Sequence, residues 1–316
     1  MELTDRLDIE SINMLIEHQL EVWEEARLNF FKLKEADRKI VRLGDMEVGV
    51  QCNPARIRST GAAVDSKSIS ERPCFLCKSN RPTEQITIDR GDRWELLVNP
   101  YPILPVHFTI VSKRHEPQSH IPLDMAVMAE NAPDLVIFYN GSRAGASAPD
   151  HLHLQGVLKS ELPLTRLVEE HHSSAESGFM SSERYGKTLP YHFVSGVIRP
   201  DAKGMEALAK IPGAFGVDGE SGKPDRGLVN AFFWIGSDGW LRVVIVPRRG
   251  HRPRCYNAEG SERYVISPGC IDMAGLIIAP RREDFERIDG AKIREIYSEV
   301  AYSEGLPEKV KAYFEI

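Results

Sequence analysis

His151, His153 and Gln155 occupy alternate positions in the run His151-Leu-His-Leu-Gln155. Side chains alternate faces along a strand, so this run would set both imidazoles and the amide on one face and send Leu152 and Leu154 into a core. A neutral imidazole is a nucleophile, and a primary amide donates hydrogen bonds without titrating. Upstream, Asn140-Gly141, Gly145 and Ser147 form a turn-rich segment whose backbone amides could curl around an anion. Two imidazoles and an amide beside such a loop make a site for chemistry on a phosphate. A lone His-x-His would suit ordinary, satisfied histidines; the flanking Asn140, Gly145, Ser147 and Gln155 favour the functional reading.

A second chemical signal is Arg72-Pro-Cys-Phe-Leu-Cys77. Two thiolates at this spacing form a tight knuckle that can supply half of a tetrahedral zinc shell, although redox pairs share the spacing, and two further ligands are needed downstream. The chain has 5 cysteines, an odd number that favours reduced thiols or metal ligation over a disulfide framework. Arg56 and Arg58 follow a proline turn and could reach a nucleotide phosphate through charge-assisted bonds.

The elements that must hold these residues are legible from pattern. Residues 9 to 35 carry apolar residues at helical spacing, an amphipathic helix broken once. Val41 to Val50 suits a strand pair turning at Gly44-Asp45, and residues 59 to 72 read as a flexible loop. Trp94–Val98 and His107–Val111 form a strand pair that ends in Ser112-Lys-Arg-His115. A helix over about residues 121 to 131 follows, with Leu123, Ala126 and Val127 inward, and then the buried strand Leu135–Phe138. Glu169 to His172 read as a solvated loop, before a Ser/Gly-rich linker to Gly178. Further on, Leu189–Val194 suits a strand, residues 201 to 211 a short helix, and Asn230–Ile235 with Trp240–Val246 a hairpin. That hairpin ends Pro247-Arg-Arg-Gly-His251, an echo of Val111-Ser-Lys-Arg-His115 that points to a duplicated fold. Ile271 to Gly275 then falls where the second copy's His-x-His strand would lie, and amphipathic helices close the chain.

The run His151-x-His153-x-Gln155 resembles the active-site strand of the histidine-triad superfamily, in the transferase branch that holds galactose-1-phosphate uridylyltransferases and diadenosine tetraphosphate phosphorylases. Asp150 to Gln155 also looks similar to the GDP-galactose phosphorylases. One spacing departs: four positions run from Ser147 to the first histidine, where the uridylyltransferases have three. The resemblance implies a nucleotidyltransferase or phosphorylase acting on a nucleoside diphosphate sugar or dinucleoside polyphosphate. His153 would be the nucleophile, Gln155 a donor to the phosphoryl oxygens, and Asn140, Gly145, Ser147 and Arg56 would contact nucleotide or phosphate. Phosphate or a sugar phosphate would be the acceptor. It also implies structural Zn2+ on Cys74, Cys77, His115 and His151, with His107 and His120 competing for the third place. A nucleotide sensor without turnover and a hydrolase are the alternatives; the amide at 155, where the small hydrolases carry histidine, disfavours the latter.

The expected fold is therefore α+β, with an N-terminal helix over 1–38, a catalytic histidine-triad-like half over 39–178 and a degenerate second half over 179–316. Each half is an antiparallel sheet with packed helices. The formal net charge of -6 gives no support to general nucleic-acid binding. No stretch has the length of a transmembrane helix, and the acidic N-terminus does not suit a secretory signal, so the reading is cytoplasmic. An exposed apolar face on the first helix would suit a homodimer.

Overall fold

The computed structural model describes residues 8–44, 46–172, 176–186 and 189–316. Asp45 of the expected turn, residues 173–175 of the expected linker and the first seven residues of the N-terminal segment lie outside them. The fold is α+β. Helices α1 (Ile9–Val22) and α2 (Glu24–Lys34) break at Trp23, whose backbone is extended, and Asp8 caps α1 by accepting from the Ser11 amide at 2.8 Å. A hairpin follows, of β1 (Arg38–Leu43) and β2 (Met46–Cys52).

Five strands of the first half are β3 (Thr87–Arg90), β4 (Trp94–Val98), β5 (His107–Ser112), β6 (Leu135–Asn140) and β7 (His153–Leu158). The second half contributes β8 (Gly178–Ser181), β9 (Val194–Ile198), the two-residue pair β10 (Gly216–Val217) and β11 (Pro224–Asp225), then β12 (Val229–Ile235), β13 (Leu241–Pro247) and β14 (Leu276–Ala279). Nine of them form one antiparallel sheet in the order β3-β4-β5-β7-β6-β12-β13-β9-β8. The halves meet where β6 pairs with β12, through Asn140↔Asn230 to Ile137↔Phe233. Both central strands are apolar without alternation because the sheet is covered on both faces. One face packs Ile12, Leu15 and Phe30 of the N-terminal helices and the helix Asp124–Glu130 against Leu96, Phe108, Ile137, Leu154 and Phe233. The other packs the helices Pro163–His171 and Gly290–Val300 and the small sheet β1-β2-β14 against Phe138, Val157, Phe232 and Trp234.

Several expectations are corrected. Residues 59 to 72 are not a plain loop: short helices span Ile57–Thr60 and Ser66–Glu71. In the helix Asp124–Glu130, Met125, Ala126 and Ala129 face inward, while Leu123 and Val127 are 38% and 58% exposed. Leu189–Val194 is not a strand: His192 makes a single bridge to Tyr302, and β9 itself starts at Val194. Glu169 to His172 is no solvated loop, for it ends the helix Pro163–His171. Glu169 there accepts from the Trp234 indole at 2.8 Å, and His172 is buried against Ser195 Oγ at 2.9 Å. Ile271 to Gly275 is no second His-x-His strand either. Cys270–Met273 is a short helix, with Asp272 Oδ2 accepting from the Gly269 amide at 3.0 Å, and the strand that follows, β14, runs parallel to β2.

Candidate active site

The end of β5 and the start of β7 face each other, with Val111 opposite His153 and Thr109 opposite Gln155. The strand begins at His153, so His151 lies in the turn just before it. There its Nε2–H donates to the Ser112 carbonyl at 2.8 Å, which leaves the Nδ1 lone pair free. That nitrogen lies 3.3 Å from Cys74 Sγ and 3.5 Å from Cys77 Sγ, and His115 Nδ1 lies 3.3 Å from Cys77 Sγ. The two rings stand perpendicular, 5.2 Å apart. All four donor atoms fall within 4.8 Å of one another. Bonds of about 2.3 Å to sulfur and 2.0–2.1 Å to nitrogen give tetrahedral edges of roughly 3.3–3.8 Å, so the four residues fit a closed S2N2 shell after small shifts. The Ser112 carbonyl on the far side of His151 is the outer partner such a ligand needs. His107 and His120 lie elsewhere: the first contacts Gln155, the second Ser119 Oγ at 3.1 Å.

His153 is buried, and its Nδ1–H donates to the His151 carbonyl at 2.7 Å. Burial pushes its pKa down to about 4, so the ring is neutral near pH 7, with Nε2 as the nitrogen available to a ligand. Its backbone is clamped by Gln118, a residue that no sequence motif singles out. Gln118 Oε1 accepts from the His153 amide at 3.0 Å, while its Nε2 donates to the carbonyls of His153 and Asn140 at 2.9 and 2.8 Å. Only the fold brings Gln118 to β7, and no local signal marks it.

Gln155 is oriented by His107. The Ile103 amide donates to His107 Nδ1 at 3.1 Å, so the proton sits on Nε2, which donates to Gln155 Oε1 at 2.7 Å. Burial, with Arg56 nearby, pushes His107 down to about 3 and keeps it neutral. With Oε1 committed, Gln155 presents its NH2 group to a ligand.

These residues line a chamber of about 440 Å³. His153, Gln155 and Ser147 form its floor, and Trp23, Phe75, Pro100 and Tyr101 supply apolar and aromatic walls. Arg56 reaches in from the segment after β2, with Nη1 donating to the Tyr101 carbonyl at 2.8 Å. Burial pulls the Arg56 pKa down to about 10, leaving it charged near neutrality. Gly145 has φ +98°, and a Cβ there would stand 2.5 Å from Gly269 Cα, so the turn beside Ser147 requires glycine. Asn140 is buried where the halves join, its Oδ1 accepting from Asn230 Nδ2 at 3.0 Å and the Cys270 amide at 2.8 Å. Such an arrangement offers a neutral nucleophile, an oriented amide donor and a guanidinium beside a cavity large enough for a nucleoside.

The family described as a domain of unknown function (DUF4922) matches residues 15–158, which hold every site residue named from sequence. No curated protein matches the chain. Among solved structures, yeast Ap4A phosphorylase Apa2 shares the fold. Its crystal structure aligns with a TM-score of 0.52 at 13% identity, over 88% of this chain and 96% of that one. The complex with AMP aligns at 0.54 and 15% identity, over 90% and 96%. The complex with Ap4A aligns at 0.55 and 13% identity, over 88% and 96%. At such identities the likeness speaks for the fold alone.

Proposed function

We propose that this chain is a nucleotidyltransferase of the phosphorylase kind, acting on a dinucleoside polyphosphate or nucleoside diphosphate sugar through a nucleotidyl-histidine. The observation that carries the reading is the state of His153: buried, neutral, with Nδ1 tied to a backbone carbonyl and Nε2 available beside the Gln155 amide. Its fold is also that of an Ap4A phosphorylase whose structures include AMP and Ap4A complexes.

In the first step Nε2 forms a bond to the α-phosphorus as the bond from that phosphorus to the bridging oxygen breaks. The departing nucleotide or sugar phosphate takes the electron pair, and the Nδ1–H stays hydrogen-bonded to the His151 carbonyl. Charge that builds on the non-bridging oxygens meets the Gln155 NH2 group, already aimed by His107, and the Arg56 guanidinium. The aromatic and apolar walls of the chamber suit a nucleobase. An acceptor oxygen then attacks the same phosphorus and frees His153.

Cys74, Cys77, His115 and His151 would hold a zinc ion. A closed S2N2 shell supplies a structural tie between the knuckle, the end of β5 and the turn before β7, with no position for substrate. The test is a panel of dinucleoside polyphosphates and nucleotide sugars, assayed for phosphate-dependent nucleotide release by wild type and His153→Ala. Release by the wild type and none by the variant is expected. Equal release by both would overturn the reading.

A further inference from the structure

Beyond Arg56, Ser147 and Gln155 the groove continues into a second chamber of about 60 Å³. Its far wall belongs to the second half: His251, Arg252, Ser267 and Gly269. A water needs about 10–15 Å³ of such space, so this chamber has room for a few waters or one phosphate-sized anion, and none for a nucleoside.

Its charge is lopsided. Arg252 is anchored on three sides, with Nε donating to Ser267 Oγ at 3.0 Å, Nη2 to the Thr60 and Ala62 carbonyls at 3.2 and 2.9 Å, and Cζ 4.1 Å from the Tyr256 ring centre. Arg248 is fully buried just behind and donates to the His251 carbonyl at 3.3 Å. Its other bonds go to Asn230 Oδ1 and to the carbonyls of Val300, Pro268 and Gly250. Among the described residues, the hydrogen bonds of Arg56, Arg248 and Arg252 thus all end on neutral oxygens. Asp272 is the one acid among the described residues lining the chamber. Both of its oxygens are occupied by backbone amides, of Gly269 at 3.0 Å and Ile278 at 2.9 Å. Two guanidiniums lining the chamber and a third, fully buried one behind it, against one carboxylate, leave a surplus of positive charge that an anion would neutralise.

We propose that this second chamber is a phosphate subsite, in which Arg252 and Arg56 hold the orthophosphate that attacks the nucleotidyl group on His153. The assignment of the acceptor rests on the proposed function; the binding of an oxyanion does not. In the step, an orthophosphate oxygen forms a bond to the α-phosphorus as the bond from that phosphorus to Nε2 breaks. The electron pair returns to Nε2, the proton of the hydrogen phosphate stays on the terminal group, and a nucleoside diphosphate leaves. The same chamber could instead take a terminal phosphate of the substrate itself, and the kinetics distinguish the two.

Sodium phosphate is titrated calorimetrically into the full chain at low salt. One saturable site is expected, weakened about tenfold or more by Arg252→Met, which removes the charge and its donor, and left intact by His153→Ala, which lies in the other chamber. Absence of phosphate binding to the wild type, or equal binding by Arg252→Met, overturns the subsite. Should Arg252→Met lose its melting transition, Arg252→Gln, which keeps hydrogen-bonding capacity without the charge, and Ser267→Ala, which removes the hydroxyl that anchors Arg252 Nε, decide on the same criterion. Single-turnover kinetics then identify the source. Arg252→Met should load nucleotide onto His153 at the wild-type rate and release it to phosphate at least tenfold more slowly. Slower loading with normal release would place the substrate's own phosphate here and overturn the orthophosphate assignment. If no nucleotide loads at all, the proposed function fails, while the titration still decides whether the anion site exists.

Discussion

His107 Nε2 lies 2.7 Å from Gln155 Oε1, and that bond decides which end of the Gln155 amide faces a ligand. The Ile103 amide enforces it by occupying His107 Nδ1. His107 is therefore a positioning residue acting through Gln155. Gln155→Ala should lower kcat by roughly a hundredfold, the scale for losing one donor to a developing oxyanion. His107→Leu frees the amide to turn and should lower kcat by about tenfold or more with little change in KM. Because both act through one hydrogen bond to the substrate, the double variant should be hardly worse than Gln155→Ala alone. Multiplied effects in the double variant would show that His107 acts by another route.

A pH prediction follows from the same histidine. Its pKa in the fold is about 3, lowered chiefly by burial, against about 6.5 in an unfolded chain. Above pH 6.5 both states are neutral and the fold loses nothing. As pH falls from 6.5 towards 3 the unfolded chain takes up a proton that the folded one refuses, so stability drops across that window. The melting temperature should fall over it, and the fall should be shallower in His107→Leu than in wild type. Parallel curves for the two proteins would remove His107 as a contributor.

The metal prediction concerns Cys74, Cys77, His115 and His151. Purified protein should carry about one zinc per chain, with sulfur and nitrogen donors by X-ray absorption. Cys74→Ser should lose metal and stability together, because free energy of binding is then part of the free energy of folding. Metal-free protein that melts unchanged would leave a reduced thiol pair.

The two halves share one sheet through β6 and β12. Residues 1–178 expressed alone would expose that strand edge together with Phe138, which packs on Phe232 in the whole chain. Such a fragment should aggregate or be inactive. A soluble, active fragment would make the second half a separate module.

Much of the fold is legible in the chain itself, for reasons that can be named. The central strands announce themselves because Leu135–Phe138, Ala231–Ile235 and Val243–Val246 are unbroken apolar runs, as strands buried on both faces tend to be. Cysteine and histidine at fixed short spacings have few chemical uses, so the four residues gathered at the knuckle can be named from the resemblance. The supporting contacts cannot. His107 meets Gln155 only through the pairing of β5 with β7, and Gln118 reaches His153 across 35 positions. The inward face of the helix Asp124–Glu130 departs from the expected stripe because Met125 and Ala129 point to the sheet while Leu123 and Val127 meet solvent. Ile271 to Gly275 departs because Asp272 is an acid placed to cap its own helix, which position by analogy with the first half does not reveal. Leu189–Val194 contains Pro190, which has no amide to give a ladder.

The central claim is that His153 carries the nucleotide, and the most direct test is the adduct itself. A phosphorus–nitrogen bond to imidazole is labile in acid and comparatively stable in base, unlike an ester to serine. Wild-type protein is incubated with a labelled dinucleoside polyphosphate or nucleotide sugar in phosphate-free buffer, and the label is mapped by peptide mass spectrometry. The account predicts one nucleotidyl group on His153, lost in mild acid, retained in base, and absent from His153→Ala. Label on any other residue, or turnover by His153→Ala at the wild-type rate, would contradict it.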